Sequence, residues 1–88
     1  MLTRYRLTKH ATEKMIALGV SLNQIEQTLM RPEERIYSES AKYFYQRIYE
    51  RDNGRKYLLR LLVDEAQEPP SVVTIYVASR FQRYRRKP

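Results

Sequence analysis

Two observations predict an α+β fold, with an N-terminal strand and two helices packed on one face of a sheet of three to four further antiparallel strands. Apolar residues recur at helical spacing through the first third of the chain, and from Pro32 onward the pattern turns to alternation. Length sets the scale. A chain of 88 residues buries a modest core, which limits it to two packed layers.

Residues 2 to 7, Leu-Thr-Arg-Tyr-Arg-Leu, alternate weakly and predict an edge strand. Thr8 then caps a helix from Lys9 to Leu18, whose buried stripe is Ala11, Met15 and Leu18, and Gly19 ends it. Ser21 and Gln24 form a capping box for a second helix from Leu22 to about Arg31, with Val20 stapled to Ile25. Its apolar face is Leu22, Ile25 and Leu29, and Pro32 follows its end. Arg35, Ile36 and Tyr37 start a short strand, residues 43 to 50 form a clear one, and Asp52-Asn53-Gly54 is the turn of a hairpin. Its second arm runs from Lys56 to Val63. A polar loop from Asp64 to Pro70 leads to the last strand, Ser71 to Ala78, rich in valine, isoleucine and tyrosine. Without repeats or a linker, residues 1–79 read as a single domain and 80–88 as a basic C-terminal segment.

Charge is unevenly spread. Seventeen basic against ten acidic residues give +7, and the stretch from Arg80 to Lys87 holds five cations and no acid. Arginine outnumbers lysine twelve to five, which suits phosphate forks. The surplus favours a polyanionic partner. The absence of cysteine excludes disulfides, thiolate zinc sites, iron-sulfur clusters and a thiol nucleophile. One histidine and scattered carboxylates do not make a converging metal site, so neither metal nor cofactor is expected. With no run approaching the roughly 18 apolar residues of a membrane span and no apolar leader, the sequence predicts a cytoplasmic protein without a membrane partner.

Strand parity predicts two surfaces. Tyr43, Tyr45, Arg47, Tyr49 and Arg51 share one face of the 43 to 51 segment, with Phe44, Gln46 and Ile48 on the other. Tyr57, Leu59, Leu61 and Val63 oppose Leu58, Arg60 and Leu62, and Val73, Ile75 and Val77 oppose Val72, Thr74 and Tyr76. If the more apolar sets meet the helices, the open face gathers Tyr43, Tyr45, Arg47, Tyr49, Arg60, Thr74 and Tyr76. Interleaved tyrosine and arginine suits single-stranded RNA, whose bases stack on rings and whose phosphates take guanidinium forks. A half-buried sheet also favours tyrosine simply as a strand former.

His10 falls in the first turn of the first helix, beside the apolar stripe, with Lys14 one turn on. At such a boundary a neutral imidazole can reach a cleft between helix and sheet and accept a proton. Alternatively, it is surface or capping decoration. The run His10-Ala11-Thr12-Glu13-Lys14-Met15, continuing to Gly19-Val20-Ser21 and Ile25, resembles the opening of an uncharacterised bacterial family. Val73-Thr74-Ile75-Tyr76, followed by basic residues and Tyr84, is similar to that family's ending. The family is grouped with RelE-like and BrnT-like toxins in the barnase, EndoU, colicin and RelE ribonuclease fold. The resemblance implies a RelE-like curved antiparallel sheet and a metal-independent endoribonuclease, an mRNA interferase held in check by a small acidic antitoxin. By match, His10 is the family's helix histidine, Lys14 its first arginine, and Thr74 and Tyr76 its last-strand motif; Leu18 stands where the family has a second arginine.

On that reading His10 is the base, Lys14, Arg47 and Arg60 clamp the phosphate, and Tyr76 or Arg80 lies near the leaving oxygen. Tyr43, Tyr45, Tyr49, Thr74, Arg83, Tyr84, Arg85 and Arg86 bind RNA, whether free or ribosome-bound mRNA. The alternative is a noncatalytic nucleic-acid-binding module: an RNA-binding sheet, or a helix-turn-helix DNA binder from Ala11 to Leu29. A recognition helix should be basic outside, yet Leu22 to Met30 holds no Lys or Arg and does hold Glu26.

Overall fold

The structure, a computed structural model, describes residues 1–81 and Tyr84. Its elements are β1 (Arg6–Leu7), α1 (Lys9–Leu18), α2 (Leu22–Met30), β2 (Glu34–Glu39), β3 (Lys42–Glu50), β4 (Lys56–Asp64) and β5 (Ser71–Ala78). The fold is α+β. Its single five-stranded sheet, in the order β1-β5-β4-β3-β2, is mixed, because β1 runs parallel to β5 while β2 to β5 pair antiparallel.

The predicted strand at residues 2 to 7 contracts to two residues because the chain before it is bonded elsewhere. Leu2 N–H donates to the Leu29 carbonyl at 3.0 Å and the Met1 amine to the Met30 carbonyl, tying the start of the chain to the end of α2. Thr8 caps α1 by accepting from Ala11 N–H. Gly19, at φ 69°, closes the helix in the left-handed conformation, with its own N–H and that of Val20 returning to the Ile16 and Met15 carbonyls. At α2 both halves of the capping box form between Ser21 and Gln24. Leu22 does not join the apolar face as expected and is 49% exposed; the face is Ile25, Thr28 and Leu29. Thr28 is tolerated inside because its hydroxyl donates to the Gln24 carbonyl at 2.7 Å.

The core lies between helices and sheet. Ala11, Val20, Ile25 and Leu29 meet Tyr45, Tyr57, Leu59, Leu61, Val63, Val72 and Ile75, all buried. The β3–β4 hairpin turns through a three-residue loop: Gly54 N–H donates to the Arg51 carbonyl, Arg51 N–H to the Arg55 carbonyl, and Gly54 takes φ 82°. That loop sets the register, with Tyr49 opposite Tyr57, Arg47 opposite Leu59, Tyr45 opposite Leu61 and Tyr43 opposite Val63. Directly paired side chains leave a sheet on the same side. The expected placement of Tyr43, Tyr45, Arg47 and Tyr49 on the open face is therefore corrected: they share the helix-covered face, and Phe44, Gln46 and Ile48 share the open one with Leu58, Arg60 and Leu62.

A second departure lies in β5. Leu62 pairs with Thr74 but Val63 with Val72, so Val73 is an extra, bulged residue. The helix-facing set is Val72, Ile75 and Val77 rather than Val73, Ile75 and Val77; Val72 is fully buried and Val73 only half-buried. Thr74 and Tyr76 keep their predicted place on the open face, opposite Leu62 and Arg60. Among the described residues, no helix is long and apolar enough to cross a membrane.

Candidate functional site

His10 is positioned by the junction of β1, α1 and β5. Thr8 N–H donates to the Val72 carbonyl at 3.1 Å and the Thr8 hydroxyl to the Val73 carbonyl at 3.3 Å, which pins the start of α1 to the bulge of β5. Two residues into the helix, His10 Nε2 lies 3.0 Å from Thr74 Oγ1. Sixty-four residues separate the pair in sequence, and the two Thr8 bonds to β5 hold the start of α1 where the imidazole can meet Thr74. If Nε2–H donates to Thr74, Nδ1 keeps a lone pair toward solvent; the exposed ring leaves that tautomer accessible.

From Thr74 the open face continues through Tyr76 and Phe44, whose rings lie 6.0 Å apart. Tyr76 is 46% exposed. Directly across from it, Arg60 stacks its guanidinium 3.9 Å above the Phe44 ring and 4.5 Å from the Tyr84 ring, and donates from Nε to Gln46 Oε1 at 3.0 Å. Burial lowers the Arg60 pKa from its usual value, while Tyr84 and Tyr76 raise it. Arginine stays charged through such shifts. Gln46, 1% exposed, is the hub: its amide nitrogen donates to Glu34 Oε1 at 3.0 Å and to the Tyr84 carbonyl at 2.8 Å. Every bond its amide group needs is made by side chains or backbone distant in sequence. The face thus offers one imidazole, one oriented guanidinium, an accessible phenol and aromatic rings.

Of the tyrosines expected to bind RNA, Tyr43, Tyr45 and Tyr49 lie on the helix-covered side, each engaged in packing, while Tyr84 lies beside Arg60 on the open one. Tyr45 is 2% exposed, with its hydroxyl donating to Glu65 Oε2 at 2.6 Å. Tyr49 stacks on Tyr57 at 6.1 Å and donates to the Gln24 carbonyl at 3.0 Å. Tyr43 carries the Arg35 guanidinium 3.7 Å above its ring. Tyrosine fits this face because its ring fills the core while its hydroxyl reaches polar groups at the rim. Arg47 donates from Nη1 to the Arg31 carbonyl at 2.7 Å, closing the end of α2, so it does not stand with Arg60 as a phosphate clamp. Arg47→Ala should lower stability by about 1.5 to 3 kcal/mol, the range for a hydrogen bond to a charged group, with RNA affinity per folded molecule unchanged. Arg60→Ala should reduce that affinity instead; calorimetric melting beside filter binding separates the two.

Lys14 is half-buried on α1, one turn beyond His10. Arg80 is exposed beyond β5, six residues past Thr74 and so about 20 Å away in extended chain; it lines a groove with the hairpin and is not beside His10. Arg83, Arg85 and Arg86 lie outside the described residues. Three contributors were not singled out as site residues from sequence: Gln46, Glu34 and Phe44. The parity of β3 would have found Gln46 and Phe44 once the hairpin loop was assigned three residues, and Glu34 follows only from the register of β2 on β3, which sets it opposite Gln46.

Arg35 and Glu65 join the far ends of β2 and the β4–β5 loop through two parallel hydrogen bonds, at 2.9 and 2.5 Å. Those bonds hold the Glu65 carboxyl below its ordinary value against an opposing effect of burial, and the Tyr45 hydroxyl adds to them. Burial, reinforced by Glu65, pushes Tyr45 up to about 12. Because the folded Glu65 pKa is depressed, its contribution is fully present above the unfolded carboxylate pKa and is lost as pH falls through the folded value. Solvent reaches both partners, with 35% and 22% of their side-chain surfaces exposed, so the contribution is under about 1 kcal/mol. Glu65→Gln should accordingly flatten the acid limb of a urea-stability profile and leave the neutral plateau lower by no more than that.

The second helix does not present a basic outer surface. Ile25, Thr28 and Leu29 of α2 are committed to the sheet, and its exposed residues are Leu22, Asn23, Glu26, Gln27 and Met30. Among the described residues no three His, Cys, Asp or Glu side chains come together as a metal-binding group. No protein-family model, curated protein or solved structure matches this chain.

Proposed function

We propose that this protein is a toxin-like, metal-independent endoribonuclease, an mRNA interferase that cleaves RNA by attack of a ribose 2′-hydroxyl on its own phosphodiester. The observation that carries the reading is the 3.0 Å pairing of His10 Nε2 with Thr74 Oγ1 at the rim of an open sheet face that also bears Arg60 and Tyr76. Thr74 orients the ring, and Nδ1 takes the 2′-hydroxyl proton as the 2′-oxygen closes on phosphorus. Arg60 stabilises the charge that grows on the phosphorane oxygens. The 5′-oxygen of the next nucleotide leaves with a proton from Tyr76, so the products are a 2′,3′-cyclic phosphate and a 5′-hydroxyl. Tyr76 can serve in that role because it lies opposite a guanidinium and in reach of solvent. Phe44 and Tyr76 offer the rings on which bases stack.

The formal charge of +7 fits both an RNA substrate and the small acidic antitoxin that such a toxin requires. The test is incubation of purified protein with defined RNA in the presence of chelator, followed by chemical analysis of the ends. Cyclic phosphate and 5′-hydroxyl ends that vanish with the His10→Gln protein are the expected result. Binding without turnover would instead assign the face to noncatalytic RNA recognition.

A further inference from the structure

We infer that the basic groove at the hairpin end of the sheet is a second anchor for the phosphate backbone of the same RNA strand, so that productive binding needs an RNA long enough to reach from His10 to the hairpin. The groove, of about 580 Å³, is lined by Arg51, Asn53, Arg55, Lys56, Ser79 and Arg80. Four of the six are cations, none is an acid, and all six are exposed. None of the four cations forms an ion pair among the described residues.

Their positions are set by the fold. The three-residue loop places Arg51 and Arg55 at its base, bonded backbone to backbone at 2.8 Å, and Asn53 Oδ1 accepts from Arg55 N–H at 2.9 Å, fixing the loop. The Arg51 guanidinium lies 4.4 Å from the Tyr57 ring and is held on it. Four cations line this fixed turn against the two acids of the hairpin, Glu50 opposite Lys56 and Asp52 in the loop, and a phosphate chain bound by that surplus releases counterions.

The groove is continuous with the open face. Lys56 shares strand parity with Leu58, Arg60 and Leu62 on β4, and on β5 Thr74, Tyr76 and Ala78 lie opposite Leu62, Arg60 and Leu58. A strand laid along this line meets His10 and Thr74, then Tyr76 and the Arg60 guanidinium between Phe44 and Tyr84, then Lys56, Arg55 and Arg80, over about 20 Å; Arg51, on the Tyr57 ring, lines the groove from the helix-covered side. An acidic peptide could match the charge but would leave the exposed Tyr76 ring without a base to stack on, so the favoured occupant is single-stranded RNA. This inference rests on the proposed reading of the open face for the path of the strand, but the groove's own phosphate contacts do not depend on catalysis.

The test uses uncleavable 2′-deoxy oligonucleotides of about 4 and about 12 nucleotides, within the span of known single-strand sites, with affinity read by fluorescence anisotropy across salt. Arg55→Gln with Lys56→Gln should weaken the longer oligonucleotide about tenfold at low salt and reduce its salt slope by about 1.4, or about 0.7 for each lost contact. Affinity for the shorter one should stay as in the wild type. Equal loss at both lengths, equal loss from the control pair Arg4→Gln with Lys9→Gln, or no loss at all would overturn the inference. So would oligoglutamate of similar charge binding as tightly as the longer oligonucleotide and losing as much in the double variant. If the length-dependent loss appears but wild-type protein never cleaves RNA, the groove stands and the ribonuclease reading falls.

Discussion

Replacing His10 with glutamine is expected to lower RNA cleavage by about 100-fold or more, the usual scale for removing a general base, while leaving the melting temperature within a few degrees. Glutamine keeps a side chain that can hydrogen bond to Thr74 Oγ1, now 3.0 Å from His10 Nε2, but it has no basic nitrogen. His10 is exposed and outside the buried cluster, so the fold loses little. Thr74→Val supplies the companion measurement. It removes the orienting hydroxyl and keeps the imidazole, so it should slow cleavage less than His10→Gln while preserving the same end groups. His10→Gln protein that cleaves at the normal rate would remove the residue from the mechanism, and with it the strongest argument for an enzyme.

The second large effect concerns the sheet itself. Leu61, fully buried on β4 between Tyr45 of β3 and Ile75 of β5, sits at the centre of the three middle strands. Neighbours held by ladders on both sides cannot collapse into a void. Leu61→Ala should therefore cost about 2 to 5 kcal/mol, a large share of the 5 to 15 kcal/mol typical of whole domains. Phe44→Ala, on the open face, should cost far less, because it forfeits chiefly the Arg60 contact at 3.9 Å and the Tyr76 contact at 6.0 Å. Urea unfolding of both variants decides the matter: a Phe44→Ala loss as large as that of Leu61→Ala would mean that the faces of β3 are reversed.

Local signals in the sequence were strong at helix ends and in β5. Thr8, Gly19 and the Ser21–Gln24 box act within a few residues of themselves, and the predicted bounds of α1 and β5 coincide with those observed. Facing was legible on β4, where the more apolar set Tyr57, Leu59, Leu61 and Val63 is the buried one, but not on β3. Tyr43, Tyr45 and Tyr49 are amphipathic enough to suit either side of a sheet, and only pairing decides between them. A two-residue turn at Asn53-Gly54 would have set odd residues of β3 against even residues of β4; the three-residue loop with Gly54 in the left-handed region sets odd against odd. The buried Gln46 was hidden for a related reason, since its partners Glu34 and Tyr84 lie 12 and 38 residues away. His10 and Thr74 were each legible, but their meeting was not, because it depends on the docking of α1 on a strand 64 residues away.

The parallel pairing of β1 with β5 also orders events during synthesis. Arg6 and Leu7 wait for Ser71 and Val72, so the ribosome must make nearly the whole described chain before its first strand has a neighbour. Until then α1 and α2 have no completed sheet to rest on, and His10 has no Thr74 beside it. The nascent polypeptide consequently carries its histidine without the partner that orients it until β5 has been made. On the proposed reading, catalytic competence arrives only once translation has passed β5.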